Sequence, residues 1–97
     1  MQTFFMFGKY SPEALKKIST ERTRKAYDVI QKYGGRVKSI HALLGQSDLV
    51  FIVHLPSATQ ATLVSIALTK LTGIGFSTSI AIPVEEFDAM FNKYKNN

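Results

Sequence analysis

Cysteine is absent from this chain, and with it every disulfide, thiolate nucleophile and sulfur metal site. The possible metal ligands are limited to two histidines and seven carboxylates, and these do not follow a spacing that is typical of a metal site. We therefore expect no metal and no cofactor. Long apolar runs are also missing. Phe4-Phe5-Met6-Phe7 stops at Gly8-Lys9, whereas a membrane span needs about 20 residues. We therefore expect a cytoplasmic protein that contacts no membrane.

The length and the charge suggest one domain without a nucleic-acid partner. A chain of 97 residues has the size of a single domain, so we expect residues 1–97 to fold as one unit. The net charge is +5, but the basic residues are scattered among acidic ones and do not alternate with aromatic residues that stack on bases. A solvated helix face explains the basic residues of the first helix, which are Lys16, Lys17, Arg24, Lys25 and Lys32.

The order of apolar runs and turn residues predicts strands alternating with helices. Ser11-Pro12 is typical of a helix start and Gly34-Gly35 of a helix end. The predicted elements are strand 3–7, helix 12–33, strand 37–44, a tight turn at 45–48, strand 49–55, a helix from Pro56-Ser57 to 72, strand 75–82, and a short C-terminal helix after Pro83.

This order predicts an α+β fold of the ferredoxin-like βαββαβ type. Its four-stranded antiparallel sheet carries two helices on one face, plus a C-terminal helix. The two central strands, 3–7 and 49–55, are apolar on both sides. The sheet face without helices would therefore expose an apolar surface that favours association. We therefore expect two copies to pair their sheets in a dimeric α/β barrel, making the protein a homodimer or higher oligomer.

The last strand predicts space between such paired sheets. Its large residues, Phe76, Thr78, Ile80 and Ile82, share one face and are expected to lie against the helices. The opposite face carries only small residues, which would leave room for a small anionic or aromatic ligand or for side chains of the partner. The small residues are Gly75, Ser77, Ser79 and Ala81.

The second long helix is unusually apolar. One side carries Ala61, Val64, Ala67, Leu68 and Leu71. Leu63 and Ile66 lie on the opposite side and predict a contact with the C-terminal helix of the same chain or with another subunit.

Arg22 and Asp48 are the first candidate ligand-binding residues. Arg22 falls within the apolar stripe of the first helix, formed by Leu15, Ile18, Ala26, Val29, Ile30 and Tyr33. Its guanidinium needs a carboxylate or several carbonyls, and Asp48, Glu85 and Glu86 are the carboxylates considered. Arg22 then either forms a structural ion pair, extends its charged end to solvent as a snorkelling side chain, or binds an anion. For Asp48 we expect acceptance of backbone N–H groups in the turn.

Lys9, Tyr10 and His41 complete the candidate ligand-binding residues. Lys9 and Tyr10 follow the first strand and would line the mouth of the space between sheets, or belong to a plain loop. His41 lies on one predicted strand, and His54 ends another. Histidines on strands usually have a structural role, and the alternative is that these two transfer protons.

Six segments carry a resemblance to a known family. They are 7–15, 19–23, 34–35, 42–50, 71–73 and 82–87, and they resemble the GYD-domain family of small bacterial and archaeal proteins. The family's name-giving pattern is glycine, a spacer, tyrosine and aspartate. Gly45 and Asp48 match this structural turn motif, and Ser47 stands where tyrosine is expected. The resemblance implies a fold similar to dimeric α/β-barrel proteins, whose sheets pair face to face.

Two classes of function fit these observations. The first is a non-catalytic homo-oligomeric module that binds a small molecule or has a regulatory or assembly role, with a pocket between its sheets. The alternative is a small cofactor-independent enzyme of the monooxygenase or isomerase kind, in which a pocket histidine or aspartate moves a proton. We favour the first, because the sequence contains no nucleophile–base pair, phosphate loop or metal set.

Overall fold

A computed structural model describes residues 1–95 and contains four strands and four helices. The strands confirm the predicted order, and the C-terminal helix follows Pro83 as predicted. The elements are β1 (Gln2–Lys9), α1 (Pro12–Lys16), α2 (Thr20–Lys32), β2 (Arg36–Ala42), β3 (Leu49–Leu55), α3 (Ala58–Thr72), β4 (Gly75–Ala81) and α4 (Val84–Lys95).

The prediction of one continuous helix over 12–33 is wrong, because the chain breaks between α1 and α2. Ser19 has extended backbone angles, and its hydroxyl accepts a hydrogen bond from the N–H of Arg22 at 3.0 Å, so a new helix begins there. The break removes Leu15 and Ile18 from the predicted apolar stripe, and each is more than half exposed. Ala26 and Ile30 of the stripe are buried as expected.

The sheet is antiparallel throughout and has the order β2-β3-β1-β4. Side chains alternate along the two central strands. Phe4 and Met6 are buried on the face that the helices cover. Phe5 and Phe7 are half-buried on the opposite face, which we call the open face of the sheet. This arrangement confirms the α+β class and the ferredoxin-like topology. The core also contains Ile30, Phe51, Val53, Leu55, Val64, Leu68 and Ile74.

The connection between β2 and β3 is longer than predicted. β2 ends at Ala42, and residues 43–48 form an irregular loop that is closed by a 2.8 Å hydrogen bond from the N–H of Leu43 to the carbonyl of Asp48. Leu44, predicted to end the strand, is fully exposed. An irregular register between Val37 and Ser39 adds one residue to β2.

α4 projects from the rest of the molecule. All its residues are exposed, and no other element within residues 1–95 packs extensively against it. Glu86, in its first turn, borders a depression beside the start of β1 and the end of β4. The radius of gyration, 15.1 Å, exceeds the roughly 12.5 Å of a compact domain of this length, and the longest dimension is 53 Å. Within residues 1–95, no helix combines the length and the apolar character that crossing a membrane requires.

Candidate functional site

Three backbone segments meet at one corner of the sheet: the end of β1, the loop 43–48 and the start of α1. The carboxylate of Asp48 accepts a hydrogen bond from the N–H of Tyr10 at 2.8 Å. The N–H of Asp48 donates to the carbonyl of Gly8, also at 2.8 Å, and the ammonium of Lys9 donates to the carbonyl of Gln46 at 3.0 Å. The polar groups of Asp48 therefore bond to the chain's own backbone.

Arg22 approaches this corner from the first turns of α2. Its side chain is half-buried, its Nη1 donates to the carbonyl of Ala14 at 2.6 Å, and its guanidinium carbon lies 5.8 Å from the centre of the Tyr10 ring. Within residues 1–95 no carboxylate lies within ion-pair distance of Arg22. None of the three candidate carboxylates, Asp48, Glu85 and Glu86, pairs with Arg22. Its partners are a backbone carbonyl, which was the other alternative, and an aromatic face.

A narrow crevice of about 130 Å³ lies beside Arg22 and Tyr10. Its other walls are mainly apolar and come from the link between α1 and α2, from α2, from the sheet, and from the end of α3 with the loop that follows it. They include Ile18, Ala26, Ile40, Leu49, Phe51 and Ile74. An anionic group hydrogen-bonded to a guanidinium, with a small apolar tail in the crevice, is the kind of ligand that this combination suits.

His41 lies apart from the corner. It pairs with Val50 on β3, while its neighbours Ile40 and Ala42 line the crevice on the helix side. Because successive side chains of a strand point to opposite faces, His41 belongs to the open face of the sheet, where it is exposed. Thus Lys9, Tyr10, Arg22 and Asp48 are brought together, and His41 is not among them.

The open face of the sheet is an aromatic and aliphatic surface. Phe5 pairs with Ile52 on β3 and with Ser79 on β4, and Phe7 pairs with Val50 and Ser77. The rings of the two phenylalanines lie 6.3 Å apart. As predicted, the small residues of β4 share this face, whereas Phe76, Thr78 and Ile80 lie on the α3 side. Ile82 was also predicted on the α3 side, but it follows the end of β4 and borders the open face beside Phe5 and Ile52.

Lys38 was not identified as a candidate in the sequence. It lies at the irregularity of β2 and lines a shallow depression of about 220 Å³ on the open face, together with Phe5 and Ile52. The extra residue at this point breaks the strict alternation along the strand, so the sequence pattern does not reveal which face Lys38 occupies.

The turn motif shows why a glycine stands at position 45. Gly45 has a φ of +147°, a backbone conformation that side-chain-bearing residues rarely adopt, and open space surrounds it. Ser47, at the position of the family tyrosine, is half-buried. Within residues 1–95, no group of three or more histidine, aspartate or glutamate side chains is placed to hold a metal ion.

The fold and the sheet topology define a ferredoxin-like α+β protein with one covered and one open sheet face. The chain belongs to the GYD domain family, whose sequence model matches residues 4–91. A similar solved structure is the leucine response regulatory protein of Mycobacterium tuberculosis, with a TM-score of 0.57 and 12% identity. The match covers 84% of this chain and 51% of that protein, about half its length. A search of curated proteins found no match.

Proposed function

We propose that this chain is a non-catalytic regulatory or assembly module of the cytoplasm. In this proposal, two copies pair the open faces of their sheets in a dimeric α/β barrel and hold a small ligand between them. The observation that supports the proposal is the open face itself. Phe5, Phe7 and Ile52 lie side by side there, and part of each side chain remains exposed to solvent. Such a continuous apolar surface marks an interaction site in a folded protein.

The energetics of burial support pairing through this face. Phe5, Phe7 and Ile52 are already partly covered in a single chain, so pairing buries only the rest of each side chain, on the order of 50 Å². Two copies that cover Phe5, Phe7 and Ile52 remove a few hundred Å² of apolar surface from water, which at about 25 cal/mol per Å² contributes several kcal/mol to association. The two-fold symmetry of a homodimer lets the same residues supply both sides of the contact.

The borders of the open face support binding of an anionic or aromatic ligand. Ser77 and Ser79 of β4 leave room beside the two phenylalanines. Lys38 and His41 of β2 provide a cation and an imidazole at the opposite border. An aromatic ring with an acidic substituent would place its ring over Phe5 and Phe7 and its charge toward Lys38.

A regulatory role agrees with the similarity of the fold to that of a leucine response regulatory protein. At 12% identity that likeness concerns the fold alone, so the ligand of that protein is not transferred. This chain corresponds to about half of the neighbour, and we propose for it only the part of such a role that one small domain provides: self-association and ligand binding.

Native mass spectrometry of the full chain tests both parts of the proposal. Wild-type protein is expected to be a dimer or a higher even oligomer. Phe7→Lys is expected to lower the ratio of this oligomer to the species of half its mass at least ten-fold. Gln31→Lys, which adds the same charge on the exposed side of α2, is the matched control and should leave the mass unchanged. A monomeric wild type at all concentrations would refute sheet pairing.

The same spectra test the ligand. With 4-hydroxybenzoate as a probe of an acidic aromatic ring, the dimer is expected to gain the mass of the probe, and Lys38→Met is expected to weaken this binding about ten-fold. Equal binding by wild type and Lys38→Met would contradict the proposed position of the anionic group.

A further inference from the structure

The second uncovered apolar surface of this molecule lies on α4. Counting 100° per residue, its apolar side chains form one stripe along the helix. Every member is at least half exposed, and the rings of Phe87 and Phe91 stack on each other at a centroid distance of 6.3 Å. The members are Val84, Phe87, Met90, Phe91 and Tyr94.

A groove on the same chain matches this stripe in character. It runs between α3 and the edge strand β4, has a volume of about 390 Å³, and is lined by no charged side chain. Ile66 and Ile80, on its two walls, are each more than half exposed. The small side chains of Ala58, Ala61, Thr62 and Ser65 leave the space, and Phe4, Phe76 and Thr78 complete the lining.

The dimensions of the two surfaces agree. α4 has 12 residues and is about 18 Å long. β4 has seven residues, about 23 Å, and α3 has 15, about 22 Å. The groove itself extends along residues 58–66 of α3, about 12 Å, and residues 76–80 of β4, about 13 Å. The stripe from Phe87 to Tyr94 is about 11 Å long and fits within it, while the ends of α4 reach beyond the groove.

The link between β4 and α4 keeps the helix away from its own groove. Only Ile82 and Pro83 separate the two elements, and the first hydrogen bond of α4 already runs from the N–H of Phe87 to the carbonyl of Pro83 at 3.0 Å. Proline fixes its own φ and restricts the preceding residue to extended conformations. Folding α4 back onto its own β4 would require these two residues to reverse the chain.

We propose that α4 is an exchanged arm, which docks its apolar stripe into the α3–β4 groove of a second copy of the chain. Each copy carries both surfaces, so two arms are exchanged reciprocally around a two-fold axis. The aromatic side chains of one arm cover on the order of 400 Å². With a similar area from each groove, two arms bury roughly 1,600 Å², the size of a standard stable interface.

This interface is separate from the proposed pairing of open sheet faces. It uses the helix side and the β4 edge, whereas Phe5, Phe7 and Ile52 lie on the opposite face. If arms are exchanged, Phe7→Lys leaves a dimer, and if they are not, it leaves a monomer. The two proposals can therefore be rejected independently.

Chemical cross-linking tests the exchange directly, because the chain has no cysteine and any introduced thiol is unique. One full-length chain carries Met90→Cys in the stripe, and a second, distinguished by an affinity tag, carries Thr62→Cys in the groove. After the two are mixed, a short bis-maleimide reagent is expected to join tagged to untagged chains. Ala89→Cys, about 200° around the helix from Phe87, is the matched control and should give at least ten-fold less of this product.

The cross-linking results distinguish a groove filled by α4 of a second copy from one that is filled by the chain's own α4 or is empty. Equal cross-linking from Met90→Cys and Ala89→Cys, or no cross-linking between chains, would overturn the proposal. A chain that carries both Met90→Cys and Thr62→Cys would overturn it too if its cross-link formed only within one chain, since α4 would then occupy its own groove.

A second measurement does not depend on the reagent. Phe91→Glu is expected to raise the dissociation constant of the assembly at least ten-fold in dilution experiments, because it places a charge in an uncharged groove. Ala89→Glu adds the same charge on the other side of α4 and should have no effect. Equal effects of the two variants would contradict docking through the stripe.

Discussion

The carboxylate of Asp48 accepts a hydrogen bond from the backbone N–H of Tyr10 at 2.8 Å, across 38 residues of sequence. This bond ties the loop between β2 and β3 to the segment that leads from β1 into α1. The N–H of Asp48 reinforces the tie by donating to the carbonyl of Gly8. One residue of the turn motif thus organises the corner of the molecule.

Removing this carboxylate should destabilise the fold. We expect Asp48→Ala to lower the free energy of unfolding by about 2 kcal/mol, because a hydrogen bond to a charged group is lost and the N–H of Tyr10 is left without its acceptor. Asp48→Asn keeps an acceptor oxygen, so it should lower the free energy of unfolding by about half as much as Asp48→Ala. Urea unfolding measures both, with Asp88→Ala on exposed α4 as the control. An Asp48→Ala protein as stable as wild type would contradict this role.

Two glycines provide a matched test of backbone crowding. A Cβ at Gly35 would lie 2.6 Å from the carbonyl oxygen of His54 and would also collide with Leu55. Gly35→Ala should therefore destabilise the protein by about 1–3 kcal/mol. Gly75→Ala meets open space at the start of β4 and should be neutral or stabilising by about 0.5 kcal/mol. Thermal unfolding compares the two, and equal effects would refute the crowding at Gly35.

Arg22 and Tyr10 should be energetically coupled. Replacing Arg22 by Met removes both the hydrogen bond to the carbonyl of Ala14 and the cation above the Tyr10 ring. We expect a loss of about 1–2 kcal/mol in unfolding free energy, against little change for Lys25→Met on the exposed side of α2. In a double-mutant cycle with Tyr10→Leu, the coupling should be about 0.5–1 kcal/mol. A coupling of zero would show that the stacking contributes nothing.

Glu21 should respond to pH through its neighbour Arg24. The hydrogen bond from Arg24, 2.6 Å long, together with the positive charge, lowers the pKa of Glu21. A lowered pKa in the folded state stabilises the protein above the ordinary glutamate pKa, and this contribution is lost as the pH falls through the folded value. NMR titration should show the Glu21 pKa rising in Arg24→Gln. An unchanged value would contradict the pairing.

The sequence by itself determined the order of the elements, because the relevant signals are local. Short continuous apolar runs in β1 and β3 indicated strands. Ser57 indicated the start of α3, and Gly73, which has a φ of +75°, indicated its end. Local signals also compete: the helical pattern of residues 12–33 continues across the break, while the capping hydroxyl of Ser19 decides where α2 begins. The side chain of Ser19 marks that break, and the hydrophobic periodicity did not reveal it.

Only the tertiary structure decided which residues share a site. Lys9, Tyr10, Arg22 and Asp48 meet because the antiparallel register of β1 and β3 brings the end of one strand beside the start of the other. The carbonyl that Arg22 bonds belongs to α1, so no charge pattern in the sequence could identify it. The projection of α4 likewise depends on how Pro83 directs the chain away from β4. Packing and long-range hydrogen bonds combine distant segments, which local propensities do not encode.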